Sequence, residues 1–136
     1  MGSQVAELAR RDDRFSLRAG VNRRTGCDAL RLLLSEADVL VDFSAPQASV
    51  RFAAAAAQAR KPIAIGTTGF SPGQRAAIAR HAQRAPILLA ANFSPAVHVL
   101  HRLAVLAAQA LPAYDAGVFE VHNAAKKDAP SGTALE

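Results

Sequence analysis

The sequence predicts an α/β fold with a Rossmann-like, doubly wound parallel sheet, and three observations support this. Short runs rich in β-branched residues or leucine alternate with alanine-rich stretches of helical spacing. The apolar runs are nearly continuous, as in the buried strands of parallel sheets. Several runs begin at a proline, which also ends the helix before it. Repeated strand–helix alternation is typical of a parallel sheet packed against helices.

Each element follows from its own pattern. The first eleven residues have helical spacing, and further helices are predicted at 46–60, 72–84 and 95–111, with another beginning after Pro130. Strands are predicted at 15–22, 37–43, 62–66, 86–91 and 113–121.

Capping residues and proline predict where two of the helices begin. Ser71-Pro72-Gly73-Gln74 has the form of a capping box, with proline in the first helical position, where its missing N–H costs nothing. Residues 44–47 (SAPQ) have a similar form, and we expect Ser44 to cap the helix that follows.

Composition narrows the class of protein. The chain has 136 residues, of which 51% are hydrophobic and 20% charged, in the range of a soluble globular domain. No apolar run approaches the roughly 20 residues of a membrane span. Cys27 is the single cysteine, which excludes an internal disulfide and fits a reducing compartment. We therefore expect a cytoplasmic protein without a membrane partner.

The net charge of +5 leaves two interpretations open. A basic nucleic-acid-binding module is one, but such proteins usually add a platform of aromatic side chains, and this chain has no Trp and one Tyr. A phosphate-bearing cofactor with a dianionic substrate explains the charge equally well. A solvated, arginine-rich surface accounts for most of it.

The carboxyl ends of the predicted strands indicate where a ligand would bind. In an open parallel sheet, ligands bind at that edge, at turns that let backbone N–H groups approach closely. Gly, Thr, Asn and Ser are also ordinary turn residues, so each turn alone decides little. The segments that follow the five strands are 22–24 (NRR), 42–44 (DFS), 66–69 (GTTG), 91–94 (ANFS) and 120–122 (EVH).

The last segment has the strongest chemical pattern. His122 titrates near neutrality, and Lys126 carries a positive charge a few residues later. Ser131, Gly132 and Thr133 then fall at a helix start, where free N–H groups and hydroxyls can hold an anion. An acid–base group beside an anion clamp is typical of an active site, although a strand-end histidine, a solvated lysine and a plain cap give the same pattern. Nothing in the sequence indicates a metal site.

Four blocks of sequence resemble the dihydrodipicolinate reductase family. Residues 120–134 match that family's E-x-H-H-x-x-K-x-D-A-P-S-G-T-A signature, except that Asn123 replaces the second histidine. Residues 65–70 (IGTTGF) are similar to its cofactor turn, 38–46 (DVLVDFSAP) to its second block and 90–94 (AANFS) to its third. Met1-Gly2 look like the end of the family's G-x-x-G-R-M-G loop.

The resemblance implies a domain division and a function. Residues 1–94 would form a dinucleotide-binding domain lacking its first strand and Gly-rich loop, and 95–136 would begin a mixed α/β substrate-binding and catalytic domain. The family uses NADPH or NADH to reduce 4-hydroxy-tetrahydrodipicolinate to tetrahydrodipicolinate in lysine and diaminopimelate biosynthesis. The implied partner is a small-molecule dicarboxylate, with no nucleic acid, and the implied assembly is a homo-oligomer, a tetramer in the full-length family.

The resemblance also implies roles for matching residues. His122 would be the general acid or base and Lys126 the proton donor. Asn22 falls where the family has an acidic residue that reads the adenosine ribose, and Arg23 follows it, so NADPH and NADH both stay open. The remaining cofactor contacts would be Gly66, Thr67, Thr68, Ala90, Ala91, Asn92 and Phe93, and the substrate contacts Asn123, Ser131, Gly132 and Thr133.

Other departures from the family pattern keep a second interpretation open. Ala96 and His98 stand where the family has glycine and asparagine. Without the upstream glycines, a bound pyrophosphate would lose charge-assisted hydrogen bonds worth about 1.5–3 kcal/mol each. A catalytically inactive fragment of such a reductase is therefore the alternative.

Overall fold

The computed structural model describes residues 1–22, 24–121 and 130–135. Its elements in chain order are α1 (Gly2–Arg10), α2 (Cys27–Glu36), β1 (Leu40–Asp42), α3 (Pro46–Ala59), β2 (Ile63–Ile65), α4 (Pro72–His81), β3 (Ile87–Leu89), α5 (Pro95–Ala110) and α6 (Gly132–Leu135). The chain divides into two compact units, unit 1 with residues 1–89 and unit 2 with residues 90–136.

Unit 1 contains a three-stranded parallel sheet in the order β1-β2-β3. Leu40 lies opposite Ile63, and Ile63 lies opposite Ile87, so the strands are in step along the sheet. Helices α3 and α4 connect these strands in the strand–helix–strand order that the sequence predicts. The α/β class and the Rossmann-like arrangement are confirmed.

The core lies between one face of the sheet and the helices. Helix α3 packs against β1, β2, α2 and α4. Its alanines 53, 56 and 57 are fully buried, and their small side chains allow close approach of the helix to its neighbours. The other buried apolar residues of this cluster are Leu30, Leu34, Phe52, Ile63, Ile65 and Ile78. On the opposite face of the sheet, Val41 and Leu88 remain 46% and 57% exposed.

Of the two predicted helix caps, the structure confirms one. The Ser71 hydroxyl accepts the Gln74 N–H, and the Gln74 side chain accepts the Ser71 N–H, so the capping box is confirmed. The second prediction is wrong, because Ala45 occupies the N-cap of α3 and makes no side-chain cap. The Ser44 hydroxyl donates instead to Oδ1 of Asp42.

Two predicted strands are absent from the described residues. Residues 15–22 are irregular, and their start is held in a turn by the Phe15 N–H to the Asp12 carbonyl and by Arg14, whose backbone and guanidinium both bond the Asp12 carboxylate. These bonds lower the pKa of Asp12 and raise that of Arg14.

The second of these segments is 113–121. Phe119 is 91% exposed, and the described residues place no strand beside it. A strand needs a neighbour for its backbone hydrogen bonds, and the alternating pattern alone does not supply one.

Helix α2 is an element that the sequence patterns did not lead us to predict. It begins after Gly26 with no side-chain cap, so neither a capping residue nor a proline marks its start. Its signal is the pair Leu30 and Leu34, four residues apart and both buried. Within the described residues, no helix is both long and apolar enough to cross a membrane.

Candidate functional site

The carboxyl ends of β1 and β2 bring two predicted site segments together in unit 1. The Gly66 N–H donates to the Asp42 carbonyl at 2.8 Å, extending the pairing of the two strands by one residue. Segment 42–44 and segment 66–68 therefore leave the sheet side by side. This is the edge where parallel α/β sheets bind ligands.

Gly66 is required by a close approach of the Phe43 ring. A Cβ added at position 66 would lie 2.6 Å from Cδ1 of Phe43 and 2.8 Å from Cζ, and closer still to Cε1. Ordinary carbon–carbon contacts are about 3.5–4.0 Å. The aromatic ring thus lies directly on the Gly66 backbone, and any larger residue at 66 would displace it.

Asp42 organises the turn that leads into α3. Its side chain is buried, and Oδ1 accepts the Ser44 N–H at 2.9 Å and the Ser44 hydroxyl at 2.5 Å. Its Oδ2 is buried with no hydrogen-bond partner among the described residues. The two bonds from Ser44 to Asp42 therefore hold the turn at 42–44. Neither of them involves a backbone group of Gly66 or Thr67.

Thr67 presents a second unsatisfied polar atom at this edge. The residue is 7% exposed, and its Oγ1 makes no hydrogen bond to any described residue. Burying a hydroxyl without a partner costs about 1–3 kcal/mol. Thr68, the next residue, is half-buried and is engaged in an interaction. An orphaned hydroxyl beside a close-packed glycine is consistent with a binding surface.

Asn22 stabilises a local turn in unit 1. Its Oδ1 accepts the Arg24 N–H at 2.8 Å, and its own N–H donates to the Thr25 hydroxyl at 3.0 Å. The residue is exposed and brings no charge to this position. Arg23, predicted to follow it in the site, lies outside the described residues.

Unit 2 contains a second cluster, built around the start of α6. Asn92 is half-buried; its Oδ1 accepts the Ser94 N–H at 2.8 Å and its Nδ2 donates to the Thr133 hydroxyl at 3.2 Å. The Asn92 side chain therefore links the start of α5 to the first turn of α6. Its neighbours Ala91 and Phe93 are engaged in interactions of their own, and Ala90 is half-buried.

Ser131 is the most buried residue of this cluster, at 1% exposed. Its N–H donates to Oε1 of Glu120 at 2.8 Å and its hydroxyl donates to Oε2 at 2.5 Å. The same hydroxyl accepts the Ala134 N–H at 3.1 Å and so caps α6. Gly132 and Thr133 form the first turn of that helix. Glu120 is not among the predicted site residues, and its signal in the sequence is its place as the first residue of the family signature at 120–134.

Four predicted site residues lie outside the described residues: Arg23, His122, Asn123 and Lys126. Among the residues that are described, no group of three or more His, Cys, Asp or Glu side chains is placed to hold a metal ion. The described residues thus form a candidate binding surface of Phe43, Gly66 and Thr67 at the sheet edge of unit 1. Unit 2 separately contains a hydrogen-bonded cluster around Ser131.

Comparison with known proteins identifies relatives for both units. The family model described as "Dihydrodipicolinate reductase, N-terminus" matches residues 1–93, and "Dihydrodipicolinate reductase, C-terminus" matches residues 96–136. A 4-hydroxy-tetrahydrodipicolinate reductase from Anaeromyxobacter dehalogenans is 38% identical over 156 residues, covering 99% of this chain and 58% of the relative. One from Thermomicrobium roseum is 48% identical over 103 residues, covering 76% of this chain and 40% of the relative. The chain therefore spans about half the length of these curated relatives.

Proposed function

Because this chain belongs to the dihydrodipicolinate reductase family, we propose that it carries the cofactor-binding part and the catalytic segment of a reductase. The reaction is the NADPH- or NADH-dependent reduction of 4-hydroxy-tetrahydrodipicolinate to tetrahydrodipicolinate, in lysine and diaminopimelate biosynthesis. In this proposal residues 1–94 are the dinucleotide-binding domain, and residues 95–136 begin the substrate-binding and catalytic domain.

The observation that carries the proposal is the Gly66–Phe43 contact at the sheet edge. A flat aromatic ring packed on a glycine backbone, next to the buried and unpartnered Thr67 Oγ1, offers an apolar surface with one hydrogen-bonding group. A nicotinamide ring with its carboxamide has matching chemistry. Gly66, Thr67 and Thr68 therefore fit this cofactor, and the family resemblance assigns Ala90, Ala91, Asn92 and Phe93 to it as well.

The cofactor supplies hydride when it is bound. The protein residues must then hold the dicarboxylate and deliver one proton as negative charge develops on the substrate ring. We assign the proton transfer to Lys126 and His122, both of which can carry a proton near neutral pH.

Substrate carboxylates are assigned to Asn123, Ser131, Gly132 and Thr133. The capping bonds of Ser131 support this assignment, because they fix the backbone on which Gly132 and Thr133 lie. Among the described residues, no hydrogen bond from the N–H of Gly132 or Thr133 is seen, as expected for the first turn of a helix. Such N–H groups suit a carboxylate.

We propose that the cofactor preference is for NADPH. The Asn22 carboxamide brings no negative charge that would repel a 2′-phosphate, and its Oδ1 is already used by the Arg24 N–H. Arg23 and Arg24 bring two positive charges to this turn. The test is KM for each cofactor at saturating substrate. A lower KM for NADPH is expected, and a strong preference for NADH would contradict the assignment.

The remaining parts of the proposal concern partners and location. The ligand is a small-molecule dicarboxylate, with no nucleic acid or membrane as partner. The family resemblance supports a homo-oligomer, and the single cysteine supports a cytoplasmic location.

The experiment is a turnover assay with the 136-residue chain, NADPH and freshly generated 4-hydroxy-tetrahydrodipicolinate, following the loss of reduced cofactor. Substrate-dependent oxidation of NADPH supports the proposal. The alternative is a catalytically inactive fragment, which predicts no oxidation above the rate without protein.

A further inference from the structure

The Glu120 carboxylate makes a two-point contact with Ser131, eleven residues later in the chain. One oxygen accepts the backbone N–H and the other accepts the hydroxyl. Both donors are satisfied by a single planar acceptor, so the contact fixes the orientation of Ser131 as well as its distance. Hydrogen bonds to a charged group are the stronger kind, and burial of Ser131 shields them from water.

The contact also sets the direction of the Ser131 hydroxyl. Because the hydroxyl hydrogen points to Glu120, a lone pair of Oγ is left to accept the Ala134 N–H. The carboxylate therefore acts on α6 through Ser131. A second bond, from Asn92 to Thr133, holds the same turn from another segment.

We propose that Glu120 is a positioning residue for the reaction: its carboxylate, through Ser131, holds segment 131–133 in the arrangement that the substrate requires. This inference rests on the proposed function, which assigns that segment to the substrate and His122, two residues after Glu120, to proton transfer. A single carboxylate then controls the placement of the substrate-binding turn.

The test compares five variants of the 136-residue chain with the parent, one of them a control. Glu120→Gln keeps the size of the side chain but loses its charge and one acceptor oxygen. Ser131→Ala removes the hydroxyl. The double variant combines them, and Glu120→Asp keeps the charge with a shorter reach. Glu36→Gln is the matched control, since Glu36 ends α2 with an exposed side chain.

Amide hydrogen exchange at Ser131 and Ala134 reports the contact independently of activity. We expect Glu120→Gln to accelerate exchange at both amides about tenfold, the loss of one net hydrogen bond. In the turnover assay, kcat/KM for the dicarboxylate should fall about tenfold or more, while the Kd for NADPH, measured by fluorescence, stays within about twofold. Glu120→Asp should recover part of the loss. Glu36→Gln should match the parent in all three measurements.

The double variant separates positioning from an unrelated structural effect. Because Glu120 acts through Ser131, the two losses should overlap, so the loss in the double variant should be smaller than the product of the two single losses, whereas independent effects would multiply. Unchanged exchange at Ser131 in Glu120→Gln, or multiplicative losses in the double variant, would overturn the inference.

The inference and the proposed function fail in different ways. A parent chain that turns over, with Glu120→Gln equally active, overturns the positioning role alone. A parent chain with no turnover, whose Ser131 exchange still responds to Glu120→Gln, overturns both and leaves the contact purely structural.

Discussion

Replacing Gly66 with alanine tests the contact between Gly66 and the Phe43 ring in the candidate cofactor site. The new Cβ would lie 2.6 Å from Cδ1 and 2.8 Å from Cζ of Phe43, about 1 Å inside ordinary contact distance. The Phe43 ring must therefore move, because the Gly66 backbone is tied to Asp42 by the 2.8 Å hydrogen bond. Overpacking of this kind costs about 1–3 kcal/mol.

We expect this strain to affect both stability and cofactor binding. The free energy of unfolding of Gly66→Ala should fall by about 1–3 kcal/mol, measured by urea denaturation. The displaced ring also changes the surface proposed for the nicotinamide, so NADPH should bind more weakly, by about tenfold for each 1.4 kcal/mol lost.

Gly73→Ala is the matched control for this prediction. Gly73 lies in α4, and an added Cβ would meet only Ser71 Oγ at 4.0 Å. That change should leave NADPH binding unaltered and should not destabilise the chain, since alanine favours a helix over glycine. Removing ring bulk with Phe43→Leu should restore part of the Gly66→Ala loss. If Gly66→Ala behaves like Gly73→Ala, the close approach of the ring is not what requires glycine at position 66.

Three further predictions concern single side chains. Thr67→Val keeps the shape but removes the buried, unpartnered hydroxyl, so the free chain should become about 1–3 kcal/mol more stable in denaturation while NADPH binds more weakly; a destabilised chain would contradict this. Ser71→Ala breaks the capping box and should lower the free energy of unfolding by about 0.5–2 kcal/mol, with an unchanged denaturation midpoint as the opposing result. Lys126→Ala should reduce turnover roughly 10²-fold, as for loss of a positioned proton donor, and normal turnover in the full-length reductase would exclude that role.

Local signals predicted much of unit 1. Helices α3 and α4 begin at a proline, as does α5 in unit 2, and the three paired strands lie within the predicted apolar runs. These signals work because capping, proline geometry and apolar periodicity act over a few neighbouring residues. The parallel sheet then follows from the spacing of strands and helices along the chain.

Interactions between distant residues set the limits of prediction. The runs at 15–22 and 113–121 have strand-like composition, but a strand forms only beside a partner that the local pattern cannot specify. A competing local partner also limits prediction: Ser44 has the sequence of a cap, but its hydroxyl donates to Asp42, two residues earlier.

The same limit applies to the candidate site. Gly66, Thr67 and Asn92 could be singled out from turns after strands, and the family blocks named His122 and Lys126. Glycine is needed at position 66 because the Phe43 ring packs on its backbone. The two residues are 23 positions apart in the sequence, so this contact is visible only in the structure. The contact of Glu120 with Ser131 likewise joins residues eleven positions apart, and no local sequence pattern predicts it.

A fluorescence titration of the 136-residue chain with NADPH tests whether the chain binds a nicotinamide dinucleotide. Because residues 66–68 and 90–93 are proposed to line that cofactor, we expect saturable, one-to-one binding at micromolar concentrations that Gly66→Ala weakens and Gly73→Ala does not. No saturable binding by a chain that circular dichroism shows to be folded would contradict the proposed cofactor site.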